Sequence, residues 1–148
     1  MIGTLGRSGM LGLAGVGCAT LALAAAALFA ADEKPKDAPR VFEMRTYITH
    51  EGRLDALHRR FREHTTKLFE KHGMTNVGYW TPSDGPEAKN TLVYLLAYPS
   101  REAREASWKA FGADPDWKTA QSASEKDGPI VKEVIVKFLT ATDYSAIK

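Results

Sequence analysis

Glu43, Arg45 and Tyr47 occupy alternate positions of the run Val41 to Ile48, so an extended backbone places all three on one side. An acid, a guanidinium and a phenol on one surface can bind an anion or polarise a carbonyl, with the phenol donating a hydrogen bond. The same alternation presents Tyr94 on the most apolar run of the chain, and Glu133 and Lys137 on the last one. Asn76 and Trp80 come from a shorter run between them. These eight residues form the candidate lining of a ligand pocket. They contain no nucleophile paired with a base, so no catalytic residue is assigned among them. A plainer alternative is a set of ion pairs across strands or across two copies of the chain, since such networks mimic active sites.

Metal chemistry finds little support. All four histidines lie between positions 50 and 72. On a regular helix His58 and His72 stand about 20 Å apart along the axis, and His64 and His72 about 12 Å. No two share the i, i+4 spacing that lets two imidazoles reach one ion. His64 reads as packing at the edge of an apolar stripe, and His72 as a cation favoured at a helix C-terminus.

The chain of 148 residues opens with a segment foreign to the rest. Arg7 is followed by an unbroken apolar and small-residue run from Leu11 to Ala31, and the first acid is Asp32. This pattern predicts a secretory signal peptide over residues 1–31, cut near Ala30. Ala25-Ala26-Ala27 is an earlier alternative site, and an uncleaved membrane anchor is the rival reading. Export to the periplasm or beyond follows, with membrane contact only during export. Cleavage removes Cys18, the only cysteine, and with it any disulfide or thiolate site. A net charge of +2 argues against nucleic acid as a partner. Residues 32–40, charged and proline-containing, read as a flexible spacer.

Positioning the candidates requires the elements of residues 41–148. Val41 to Ile48 alternates as a strand, and Leu54, Leu57, Phe61, Leu68 and Phe69 recur at helical spacing up to His72. Gly73 follows as a left-handed helix stop. Thr75 to Thr81 and Thr91 to Tyr98 are strands around the turn-rich Pro82–Pro86. Ser100 caps a helix reaching about Gly112, Asp114-Pro115 restarts it, and Ile130 to Leu139 is the last strand. The order β-α-β-β-α-β predicts an α+β, ferredoxin-like domain: one four-stranded antiparallel sheet with its helices on one face. On this reading Phe42, Met44, Ile48, Val134, Val136 and Phe138 face the helices; the second strand is ambiguous, and Asn76 and Trp80 point away if Val77 and Tyr79 join them. Glu43, Arg45, Tyr47, Asn76, Trp80, Leu92, Tyr94, Leu96, Tyr98, Glu133, Ile135 and Lys137 then lie on the bare face. A face so rich in apolar and aromatic residues needs a cover, which predicts a homodimer through the sheet with a pocket between the facing sheets. The charged stretch Arg101 to Lys109 reads as a solvated helix face with pairs such as Arg101–Glu105. Trp108 and Trp117 read as helix packing or surface contacts.

The segments FEMRTY, LHRRFREHTTKLFEKHGM, VGYWTP, LVYLLAYPSREAREASWKAF, DPDWK and FLTATDYS resemble the NIPSNAP family in order and spacing over residues 41–146. The resemblance implies a dimeric α/β barrel, in which two ferredoxin-like sheets meet face to face. Animal members are mitochondrial and linked to vesicle traffic and mitophagy signalling, whereas here a secretory leader stands in place of a mitochondrial one. The wider superfamily includes haem enzymes whose histidine ligand lies in the second half of the chain. No histidine follows His72, so no cofactor is expected. Three functions remain open: a homodimer binding a small apolar or partly anionic molecule; a cofactor-free monooxygenase in which Trp80, Asn76 and Tyr94 orient an aromatic or quinol substrate; and a protein-interaction module using the Trp108–Trp117 region.

Overall fold

A computed structural model describes residues 40–148. The predicted leader and all but the last residue of the spacer lie outside these residues. Nine residues, Val41–Thr49, form β1. A helical stretch follows in three parts: α1, Leu54–Arg60; a wide π turn, Phe61–Thr65; and α2, Thr66–Lys71. Gly73, at φ 76°, ends it in the left-handed region as the sequence pattern predicts. Strands β2, Thr75–Trp80, and β3, Thr91–Tyr98, flank a short 3-10 turn. Two helices then run in tandem, α3, Arg101–Ala113, and α4, Pro115–Ser124, before β4, Val131–Leu139.

Helix ends are set by local chemistry. The Ser100 hydroxyl accepts the Ala103 amide at 3.1 Å, and the Asp114 carboxylate accepts that of Asp116 at 2.8 Å. Asp114 also draws Lys71 (2.9 Å) and His72 (2.6 Å) from the end of α2, which holds its carboxyl well below the usual carboxylate range.

All strand pairs are antiparallel and their order is β2-β3-β1-β4. The chain is thus an α+β domain of ferredoxin-like topology. Two face assignments need correction. Directly paired residues project to the same side, and Glu43, Arg45 and Tyr47 pair with Leu96, Tyr94 and Leu92. That side packs on the helices: Leu92, Tyr94, Leu96 and Tyr98 sit in one core cluster with Leu57, Phe61, Phe69 and Phe111. Phe42, Met44 and Ile48 lie instead on the bare face with Val93, Leu95 and Ala97. Alternation decides which residues share a side; which side meets the helices is decided by packing, and the four large β3 residues fill the space under the helices better.

Asn76 is the second correction. The register between β2 and β3 shifts between Asn76 and Gly78, so Asn76 and Tyr79 both reach the helix side, opposite Leu96 and Tyr94. Trp80, Glu133, Ile135 and Lys137 remain on the bare face as predicted.

On β4, Val134, Val136 and Phe138 share the helix side with Tyr47, Arg45 and Glu43. They are nonetheless 40%, 38% and 42% exposed. The helix layer stops short of this edge strand.

Candidate ligand-binding site

The eight candidate residues divide into two groups on opposite faces of the sheet. Glu43, Arg45, Tyr47, Asn76 and Tyr94 lie under the helices; Trp80, Glu133 and Lys137 lie on the bare face, where all three are exposed. The expected pocket between facing sheets therefore does not bring the eight together. Trp80 is also parted from Asn76 and Tyr94, which removes that trio as one substrate-orienting set. Its indole lies over Gly78, where a Cβ would collide with it. Asn76 is tied up within the domain, donating at 3.0 Å to both the Thr66 carbonyl and the Glu70 carboxylate.

Glu43 is fully buried and is the hub of the helix-side group. Its Oε1 accepts from Arg45 and Arg104, both at 2.7 Å. Its Oε2 accepts from Arg104 Nε, Trp108 Nε1 and the Tyr98 hydroxyl, each at 3.0 Å. Burial opposes ionisation here, but the donors Arg104, Arg45 and Trp108 outweigh it and lower the Glu43 carboxyl from 4.5 to about 2. The unfolded chain therefore takes up this proton first as acid is added. The stabilisation is complete above about pH 4.5, falls through the acid range and is lost below about pH 2. Urea unfolding across that window should show stability declining with acid, and the decline should be shallower in Glu43→Gln.

Beside this network lies a cavity of about 240 Å³ between the sheet and the helices. Tyr47, Phe61, Phe69, Trp108, Phe111 and Trp117 line it, with Thr65 and Gly112. The π turn contributes two of these, Phe61 and Thr65. The Thr65 and Thr66 hydroxyls donate to carbonyls five residues back, Arg60 and Phe61, at 3.2 Å, which fits the wider turn. The Arg45 guanidinium stacks 4.2 Å from the Trp108 ring centre and 5.6 Å from that of Tyr47. Behind the cavity wall, the Tyr94 ring packs at 5.2 Å on both Tyr47 and Phe61. Two polar atoms here are buried without a well-formed hydrogen bond among the described residues, the Tyr94 hydroxyl and Arg45 Nε. Burial pushes the Tyr94 phenol well above its ordinary pKa, so it stays a donor.

Arg104, Trp108, Tyr98 and the phenylalanines of the cavity are absent from the predicted lining. A signal for two of them exists: Arg104 and Trp108 are four apart on α3, so one helix face presents both to the sheet. The predicted Arg101–Glu105 pair is absent from the ion pairs of the described residues, and Arg101 instead lies 3.4 Å over the Phe138 ring. Trp108 and Trp117 are half-buried and pack against the core cluster. His64 is exposed and lies 3.9 Å from Glu63, away from the apolar stripe.

Fold and site together define a small ferredoxin-like α+β domain with an aromatic chamber under its helices. A family model described as NIPSNAP matches residues 42–146, and the chain belongs to the NIPSNAP family. Among solved structures, a NIPSNAP-family protein of unknown function from Agrobacterium tumefaciens is similar at 21% identity and a TM-score of 0.65, covering 76% of this chain and 96% of that one. A NIPSNAP-like domain protein from Burkholderia xenovorans gives 19% identity and a TM-score of 0.63, covering 73% and 90%. At these identities the likeness speaks for the fold alone. No curated protein matches the chain.

Proposed function

We propose that this protein is an exported homodimer that binds a small, largely apolar molecule carrying a polar or anionic group, with one molecule held in the aromatic cavity of each copy. The observation that carries the reading is an aromatic-lined space with a cation at its edge: the Arg45 guanidinium stacks on Trp108 and Tyr47, two of its walls. Ligand pockets are mostly apolar and aromatic, with a few polar groups that fix the orientation of the ligand. A volume near 240 Å³ suits a one-ring aromatic molecule, since about 150 Å³ already admits benzene. Dimerisation follows from the bare face, where Met44, Ile48, Val93, Leu95, Ile135 and Leu139 make an apolar surface. Export rests on the leader-like residues 1–31.

Gly112→Leu tests the cavity reading by separating stability from binding. Gly112 lines the cavity and a Cβ there meets open space, so the unliganded protein should be as stable as before, or more stable by about 1 kcal/mol from the better helix former. The same change should weaken binding of small phenols and aromatic carboxylates about tenfold in calorimetric titrations. An equally stable variant with unchanged affinities would mean that these molecules do not bind in the cavity. Oxygen consumption with a quinol panel separates binding from turnover.

A further inference from the structure

The apolar strip along the helix side of β4 is not accounted for by pairing of the bare faces, because it points the opposite way. Val134, Val136 and Phe138 are each about two-fifths exposed there, side by side on alternate residues. The strip is continuous with the cavity at one end, since Val134 pairs directly with Tyr47, a cavity wall. Its other end is positively charged. Phe138 pairs with Glu43, and its ring lies 3.4 Å from the Arg101 guanidinium and 5.4 Å from that of Arg104. Both Glu43 oxygens are engaged by Arg45, Arg104, Trp108 and Tyr98, so Arg101 has no share in that carboxylate.

We infer that the strip is a second part of the ligand site, built for an amphiphile: an apolar chain lying along Val134–Phe138 with an anionic head, a carboxylate or sulfate, at Arg101 and Arg104. The inference rests on the cavity reading above, and the far end of the chain enters that cavity past Tyr47. From Val134 to Phe138 the strand rises about 13 Å, the reach of a medium-length acyl chain. Charge complementarity selects the head: the Arg101 guanidinium lies on the Phe138 ring with that of Arg104 beside it, so two cations meet an anion where the strip ends.

Calorimetric titration of the purified protein with decanoate, decanol and decyltrimethylammonium tests this, with indole as a neutral ring that fits the cavity alone. Decanoate should bind at least tenfold more tightly than decanol, and the ammonium compound more weakly than either. Arg101→Gln, at the exposed first residue of α3, should bring decanoate to the affinity of decanol and leave indole unchanged. Val136→Asp should weaken decanoate and decanol together. Equal affinities for decanoate and decanol, with indole still bound, would overturn the amphiphile site and leave the cavity reading standing. Failure of every probe including indole would remove both. Conversion of a dimer to a smaller particle by Val136→Asp would show that the strip is a contact between copies, and that too would overturn the inference.

Discussion

Glu43→Gln should lower the unfolding free energy by about 3–5 kcal/mol, because it removes a buried anion from between two cations and leaves them uncompensated. For a domain of this size the midpoint of thermal unfolding should fall by about 10 °C or more. The amide keeps the shape of the side chain, so the loss measures charge rather than a cavity. Gln can still accept from Trp108 and Tyr98, but it cannot neutralise Arg45 (12% exposed) or Arg104 (23% exposed). A double-mutant cycle with Arg104→Met separates pairing from packing. If the network is the hub described here, the two changes together should cost clearly less than the sum of each alone. Simple additivity, with each change costing under about 1 kcal/mol, would show that the ion pairs contribute no more than a surface pair does.

The second large effect concerns assembly. Leu95 sits on the bare face of a central strand, paired across the sheet with Met44 on one side and Gly78 on the other. Leu95→Arg should convert the proposed dimer to monomer, raising the dissociation constant about a thousandfold or more. Desolvating an unpaired charge in an apolar interface costs several kcal/mol, and about 4 kcal/mol is already a thousandfold. Sedimentation velocity over a dilution series measures this directly, with the exposed helical Lys109→Glu as a control that should leave assembly unchanged. A wild-type protein that sediments as a single copy at every concentration would end the dimer proposal. The C-terminal residues are part of this question. Thr140 to Thr142 and Ser145 to Ile147 line a cleft with Phe42, Leu95 and Leu139, and Phe42 is only 4% exposed although it lies on the bare face.

The element order and the split of the last helical region at Asp114-Pro115 were legible because periodicity, capping residues and breakers are local signals. The side of the sheet was not. On β1, Phe42, Met44 and Ile48 look more like core than Glu43, Arg45 and Tyr47, and the misleading residue is Glu43. A buried carboxylate is tolerable only because Arg104 and Trp108 reach it from α3, 61 and 65 residues further on, and no local pattern reports such a contact. Asn76 failed for a different reason: one register shift in β2 changes the parity of every residue beyond it. Arg45, Tyr47 and Tyr94 were singled out by residue type and lie on one side of the sheet, because parity within a regular strand survives a wrong choice of side.

The exposure of β4 on both broad surfaces has a consequence for a single copy of the chain. This strand is also the last in the sheet, so its outer backbone amides and carbonyls are unpaired among the described strands. A lone copy thus offers a greasy ribbon with free hydrogen-bonding groups, the template on which misassembled stacks grow. Lys132, Glu133 and Lys137 interrupt that ribbon with charge, and like-charged ribbons brought together in register repel. Charge at these three positions therefore disfavours such stacking, as gatekeeper residues do beside exposed apolar strands.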